Sequence, residues 1–342
     1  MAAAAVAAKI PVIDLSGEDQ AQVAKDLVEA AIEHGFVYIR NTGKDIPIEA
    51  IDGAFAVSKK LFDAPLSEKQ ACTIQKNNRG WSAMNYETLD PANQRVGDFK
   101  EAFNFGEFVD GKAQQPIPPT IASDEAQISA FRDLCYSLSL KLNTLLGIGL
   151  GVSPPDFFTS AHLRSRGPSG TILRFLRYPP RSAIAELPPG ADDVRAGAHS
   201  DYGSLTLLFR LRGQPGLEIL LRDGRTWSPV PVVPPGTEHD PAPPILMNIG
   251  DLLSYWTNGL LRSTVHRVVF PFLLLLLLLL LLLLLRWWWR FGRRDGPRDA
   301  NYNGGLAEGN PYAERKVMTA DEHLRMRLEA SYAQLYKEGE KA

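Results

Sequence analysis

The sequence predicts a mainly β fold with helices, a jelly roll preceded by N-terminal α/β and helical elaborations. Three observations predict it. Beyond Pro154-Pro155 the chain turns to short apolar runs punctuated by glycine and proline, the texture of an antiparallel sandwich or jelly roll. Before that point strand-like and helix-like periods alternate, and one long amphipathic pattern separates the two textures. At 342 residues, 45% hydrophobic and 22% charged, the chain can build a large core, and its motifs favour one domain over two.

The elements follow in order. Residues 1–8 lack a basic start and their apolar stretch stops at Lys9, so they read as a frayed end rather than a secretory leader. Residues 10–15 alternate as a short strand. Val23, Leu27, Ala30, Ala31 and Ile32 then recur at helical spacing, with Gly35 placed as a helix C-cap. Residues 36–39 read as a buried strand and 48–63 as a second helix, without a glycine-rich phosphate loop. The aromatic and polar stretches 78–87 and 98–106 read as irregular loops approaching a site. Residues 124–149 carry the longest helical stripe: Ile128, Phe131, Leu134, Leu138, Leu142 and Leu145. Strands are expected at 171–178, 204–211, 216–221, 227–233 and 245–249. A last helix is expected at 319–336, where Thr319 and Glu322 have capping-box spacing.

Composition narrows the function. Lys and Arg total 37 against 39 Asp and Glu, and this near balance offers no broad attraction for nucleic acid or an anionic membrane. A small-molecule substrate is expected, handled by a monomer. Cys72 and Cys135 are the only cysteines, which excludes a disulfide framework and a cysteine zinc site and suits a cytoplasmic setting.

The chemistry concentrates in His199-Ser200-Asp201 and in His266, 65 residues beyond the aspartate. Alternate strand residues share a face, so His199 and Asp201 can present their side chains together while a later strand brings His266. Two imidazoles and one carboxylate suit Fe(II) and leave positions open for O2 and an oxidisable co-substrate. A His-x-Asp pair alone is common by chance; the surrounding residues give this one its weight. His34, His162, His239 and His323 sit in ordinary helical or loop contexts and are not candidate ligands.

Those surroundings are Ile10-Pro11-Val12-Ile13-Asp14-Leu15, Gly35-Phe36-Val37-Tyr38-Ile39, Lys100-Glu101, Leu173-Arg174 with Tyr178-Pro179, Ala198-His199-Ser200-Asp201-Tyr202-Gly203-Ser204-Leu205-Thr206, Gly216-Leu217-Glu218, Trp227, Asn248-Ile249-Gly250-Asp251, Thr257-Asn258-Gly259 and Ser263-Thr264-Val265-His266-Arg267-Val268. With them the chain resembles the 2-oxoglutarate and Fe(II)-dependent oxygenases of the isopenicillin N synthase-like type. The resemblance implies a distorted double-stranded β-helix, with a non-haem dioxygenase N-terminal region at 1–120, a supporting helix at 121–165, a jelly-roll core at 166–318 and a C-terminal helix at 319–342. It implies Fe(II) on His199, Asp201 and His266, and 2-oxoglutarate and O2 as co-substrates. Tyr178 is expected to hydrogen-bond the far carboxylate of 2-oxoglutarate. Arg174 lines the same pocket or is a partly exposed strand arginine. Asn85, Phe103 and Phe105 are candidate substrate contacts, with core packing as the alternative for the aromatics. Hydroxylation or desaturation of a small organic metabolite is the implied reaction.

One departure stands out. Related enzymes carry an Arg-x-Ser about ten residues past the distal histidine, where a guanidinium fork pairs with the far carboxylate. In this chain that place falls within residues 273–285, 13 consecutive leucines, followed by Arg286-Trp287-Trp288-Trp289-Arg290. A strand there would lack alternation. A membrane span is disfavoured, because Pro271 interrupts it and His266 abuts it. The favoured reading is that residues 272 to about 300 are not evolved protein sequence, through a shifted frame or a retained non-coding segment. A catalytically impaired iron-binding relative, or a membrane-anchored protein, is the alternative function.

Overall fold

The protein is described by a computed structural model over residues 7–94, 96–167, 169–180, 194–270 and 320–332. The first alanines, the leucine run with its tryptophans, and Thr319 lie outside the described residues.

The chain opens as its periodicity predicts. β1 (Val12–Ile13) pairs in parallel with β2 (Phe36–Ile39) across α1 (Gln20–Glu33). Asp19 caps α1, its carboxylate accepting from the backbone N–H groups of Ala21 at 3.1 Å and Gln22 at 3.0 Å. Gly35 closes the helix with φ 67°, and a Cβ there would lie 2.2 Å from the Arg262 carbonyl oxygen, so conformation and space both require glycine. α2 (Ile48–Phe62), the short α3 (Leu66–Gln70) and α4 (Glu125–Gly149) follow, and α4 packs along α1 and α2. The expected α4 stripe is its core face, with Leu134 alone only partly buried.

Two four-stranded sheets face each other. One has the order β1-β2-β12-β9, with β9 at Leu205–Leu208 and β12 at Ile245–Ile249. The other has the order β11-β10-β13-β8, with β8 at Val194–His199, β10 at Leu217–Leu220, β11 at Trp227–Pro229 and β13 at His266–Val269. β2 shows how they share a core. Val37 and Ile39 face the helices, whereas Phe36 and Tyr38 meet Leu217, Ile219 and Leu246 between the sheets. Because β2 pairs with β12, Val37 opposite Met247, the N-terminal region is built into the jelly-roll sheet.

A third sheet corrects the expectation of loops at 78–87 and 98–106. β3 (Gly80–Ser82), β4 (Glu101–Phe105) and β7 (Leu173–Arg177) form it in the order β3-β4-β7. Every residue of β4 is buried, so it shows no alternation for a sequence pattern to reveal. Its charged member, Glu101, accepts hydrogen bonds from Lys69 Nζ and Trp81 Nε1, each at 2.7 Å. Phe103 and Phe105 are packed in the core rather than lining a pocket: their ring centroids are 4.6 Å apart, and Phe105 meets Phe175 edge-on at 5.3 Å. The hairpin β5 (Phe108–Val109) with β6 (Lys112–Ala113) leads towards α4. Among the described residues no helix is long and apolar enough to cross a membrane.

Candidate metal centre

β8 and β13 bring the two histidines together directly. His199 is the last residue of β8 and pairs in register with His266, the first residue of β13, with ring centroids 4.3 Å apart. Asp201 lies beyond the end of β8 rather than within it, held by a tight crossing of backbones. Its carbonyl accepts from the Asp251 N–H at 2.8 Å, at the start of α6 (Asp251–Trp256). A Cβ on Gly250 would come within 2.2 Å of the Gly203 carbonyl oxygen, so the turn and helix can approach this closely only through glycine.

The donor atoms converge. Asp201 Oδ1 is 3.8 Å from His199 Nε2 and 3.7 Å from His266 Nε2. A metal bonded at about 2.0–2.2 Å would draw such atoms to roughly 3 Å apart, a small side-chain adjustment. Every other polar atom of the three is already committed. His199 Nδ1 donates to the Gly197 carbonyl at 2.8 Å and His266 Nδ1 to that of Thr264 at 3.0 Å. A carbonyl can only accept, so each Nδ1 carries a proton and both Nε2 atoms are left to face the shared site. Asp201 Oδ2 accepts from Thr206 Oγ1 at 2.6 Å and Asn248 Nδ2 at 2.7 Å, leaving Oδ1 for the metal. Burial and the neighbouring His266 hold the His199 imidazole at about 3, and so neutral. Burial alone would raise the Asp201 carboxyl, but the two imidazoles and its two hydrogen bonds bring it down to about 2. The donor set is that of a divalent cation site of mixed nitrogen and oxygen character. It is the one group of three or more such ligands among the described residues.

Further side chains lock this constellation. Phe36 meets the His266 ring edge-on at 5.5 Å. His162, which closes α5 (Phe157–Ala161), places Nε2 2.7 Å from Ser204 Oγ and Nδ1 2.6 Å from the Phe158 carbonyl. On the outer side, Arg327 of α7 (Ala320–Ser331) donates to the Ser200 carbonyl at 3.3 Å and lies over the Tyr202 ring at 4.6 Å. Tyr202 and Ser331 share a hydroxyl hydrogen bond.

Next to the triad lies a buried chain of alternating charge. Asp98 Oδ1 accepts from the Gly197 N–H at 2.9 Å, and its Oδ2 lies 2.6 Å from Lys100 Nζ. Lys100, only 3% exposed, reaches Glu87 at 2.7 Å, and Glu87 pairs with Arg174 at 2.5 Å. Burial alone would raise the Glu87 carboxyl, but Arg174 and Lys100 hold it well below the usual carboxylate range. Arg174 is thus a partly exposed strand arginine whose charge is committed to Glu87. Tyr178 stands within electrostatic reach of Arg174, Asp98 and Glu87, and burial keeps its phenol protonated by pushing its pKa up. Asn85 is exposed, with φ 62°, and its amide donates to the Gly97 carbonyl at 2.7 Å; it shapes the loop.

Sequence reasoning gave no role to Thr206, Asn248, Asp98 or Glu87. Asn248 carried a usable signal, being a polar residue inside the otherwise apolar Ile245–Ile249 strand.

Comparison with known proteins agrees with this geometry. Residues 10–123 match the family described as non-haem dioxygenase in morphine synthesis N-terminal, and residues 171–272 match the 2OG-Fe(II) oxygenase superfamily. A UPF0676 protein of Schizosaccharomyces pombe is 38% identical over 270 residues, 76% of each chain. This chain belongs to the 2OG-Fe(II) oxygenase superfamily. A proline hydroxylase of Petromyces alliaceus is 34% identical over 71% of this oxygenase and 76% of its own length. A full-length Neurospora crassa protein crystallised with alpha-KG and thymine superposes with a TM-score of 0.63 at 28% identity, covering 78% of this oxygenase and 83% of that chain. The oxygenase is therefore a non-haem enzyme on a double-stranded β-helix, using Fe(II), 2-oxoglutarate and O2 to oxidise a small organic molecule.

Proposed function

We propose that His199, Asp201 and His266 hold the Fe(II), and that the enzyme hydroxylates or desaturates a small metabolite as a cytoplasmic monomer without nucleic-acid partners. The observation that carries the ligand assignment is the commitment of both Nδ1 atoms and of Asp201 Oδ2 elsewhere, which leaves three converging lone pairs without a protein partner. Bound iron with 2-oxoglutarate and O2 supplies the oxidising equivalents, the co-substrate losing CO2 to become succinate.

The chain's own residues do the rest. The neutral His199 imidazole and the ionised Asp201 carboxylate need no proton loss before accepting the metal, because their buried surroundings already set those states. Thr206 and Asn248 fix the carboxylate's rotation, and Phe36 and His162 hold the walls. Tyr178, protonated at all ordinary pH, serves as a hydrogen-bond donor to the far carboxylate of 2-oxoglutarate, and Arg174 forms the pocket wall behind it.

The test is anaerobic titration with Fe(II) and 2-oxoglutarate. A weak visible charge-transfer band and, in air, succinate formation are expected. His199→Ala should abolish both the band and stoichiometric Fe(II) binding, and retained iron in that variant assigns the ligands elsewhere.

A further inference from the structure

Resting on that reading, we infer that Arg195, on β8, receives the far carboxylate of the 2-oxoacid co-substrate beside Tyr178, in place of an arginine on the strand after His266. Chelation at the metal neutralises the first carboxylate of 2-oxoglutarate. The second reaches away from the iron into a partly dry interior, where an unpaired charge is costly. A cation must meet it.

The cations around the site differ in what they have left to give. Lys100 is engaged by two carboxylates and Arg174 by Glu87, and Asp98, Lys100, Glu87 and Arg174 together sum to zero charge. Arg195 is the surplus. Among the described residues no carboxylate lies within ion-pair distance of it, and Tyr178 is the one ionisable group acting on it. Its Nη2 donates to the Pro179 carbonyl at 3.2 Å, next to Tyr178, while its buried Nε, like that of Arg174, has no hydrogen-bond partner among the described residues. An unsatisfied buried guanidinium N–H is costly unless a ligand completes it.

Its place in the fold fits. Arg195 and His199 stand on the same strand, β8, which bulges twice against β13 between His199 and Val194. Four residues at about 3.3 Å each put the Cα atoms of Arg195 and His199 at most roughly 13 Å apart, and the bulges shorten this. An extended arginine and a five-carbon diacid can span that gap from opposite ends. The guanidinium carbon lies over the Phe270 ring at 4.9 Å, and Phe270 packs on Phe99 at 6.1 Å, which steadies the side chain.

The experiment compares two 2-oxoacids by anaerobic calorimetry on Fe(II)-loaded protein: 2-oxoglutarate, and 2-oxobutyrate, which chelates alike but lacks the far carboxylate. Wild type should prefer 2-oxoglutarate by roughly 10- to 100-fold, the range of a charge-assisted hydrogen-bonded pair. Arg195→Gln should erase that margin and leave 2-oxobutyrate binding unchanged. Arg195→Lys, which keeps the charge but not the fork, should retain part of it and covers the case in which the glutamine variant does not fold. A margin intact in Arg195→Gln, or equal loss for both acids in either variant, overturns the assignment while leaving the iron site standing. A wild-type protein that binds neither acid overturns the proposed function itself.

Discussion

The two ends of β8 are built differently. At the His199 end each ligand's spare polar atom is committed: two Nδ1 protons to backbone carbonyls, one carboxylate oxygen to Thr206 and Asn248. At the Arg195 end a half-buried arginine keeps a buried Nε–H without a partner among the described residues. The first arrangement is finished before any ligand arrives. The second is finished only by one. An enzyme that must keep its metal through many turnovers but exchange its co-substrate in each gains from this division, since preorganisation tightens binding and an unsatisfied donor discriminates among ligands.

The largest test of that contrast acts between the two ends, where Asp98 grips the Gly197 N–H. Glu87→Gln leaves Arg174 and Lys100 short of a counter-charge in a buried setting and should cost about 3–5 kcal/mol in urea denaturation. The pH dependence has a definite sign. The folded Glu87 carboxyl lies below its unfolded value, so its contribution is present above the ordinary glutamate range and is lost as pH falls through the folded value. Wild type should therefore lose stability on acidification more steeply than Glu87→Gln. Equal slopes for the two would show that the ion chain is not what holds β8 in place.

How much of this could be read from the sequence divides along the same line. The ligands stood out because a His-x-Asp pair and a distant histidine lay inside a long run of family-like residues. Helical periods located α1, α2 and α4 almost to the residue. β4 escaped because both its faces are buried and its glutamate is neutralised by Lys69 and Trp81, partners far away in sequence. The same blindness left Phe103 and Phe105 open as substrate contacts beside the core alternative: aromatic residues near polar ones look like a pocket until tertiary packing shows Phe105 against Phe175. Arg195 escaped for a deeper reason. Its meaning is the absence of a counter-ion among the described residues, and absence has no motif.

A middle-sized effect separates commitment from mere proximity at the finished end. Asn248→Ala removes one of the two hydrogen bonds orienting Asp201 while leaving all three ligands. Loss of such a support should weaken Fe(II) binding about 10- to 100-fold. Competition with a fluorescent chelator reads this directly, and an unchanged affinity would mean that Thr206 alone orients the carboxylate.

The smallest effect concerns α7, which touches the finished end only from outside. Arg327 donates to the carbonyl of Ser200, between two of the ligands, and sits 3.7 Å from Asp251. The contact orders the turn but reaches no donor atom of the triad. Arg327→Ala should therefore cost about 1 kcal/mol of stability and weaken Fe(II) binding no more than about fivefold. It should leave the preference for 2-oxoglutarate over 2-oxobutyrate intact, because that margin is set at the other end of the strand. If Arg327→Ala instead weakened iron as much as Asn248→Ala, the triad would depend on α7 for its geometry. The His199 end would then be no more complete in itself than the Arg195 end, and the contrast between them would fail.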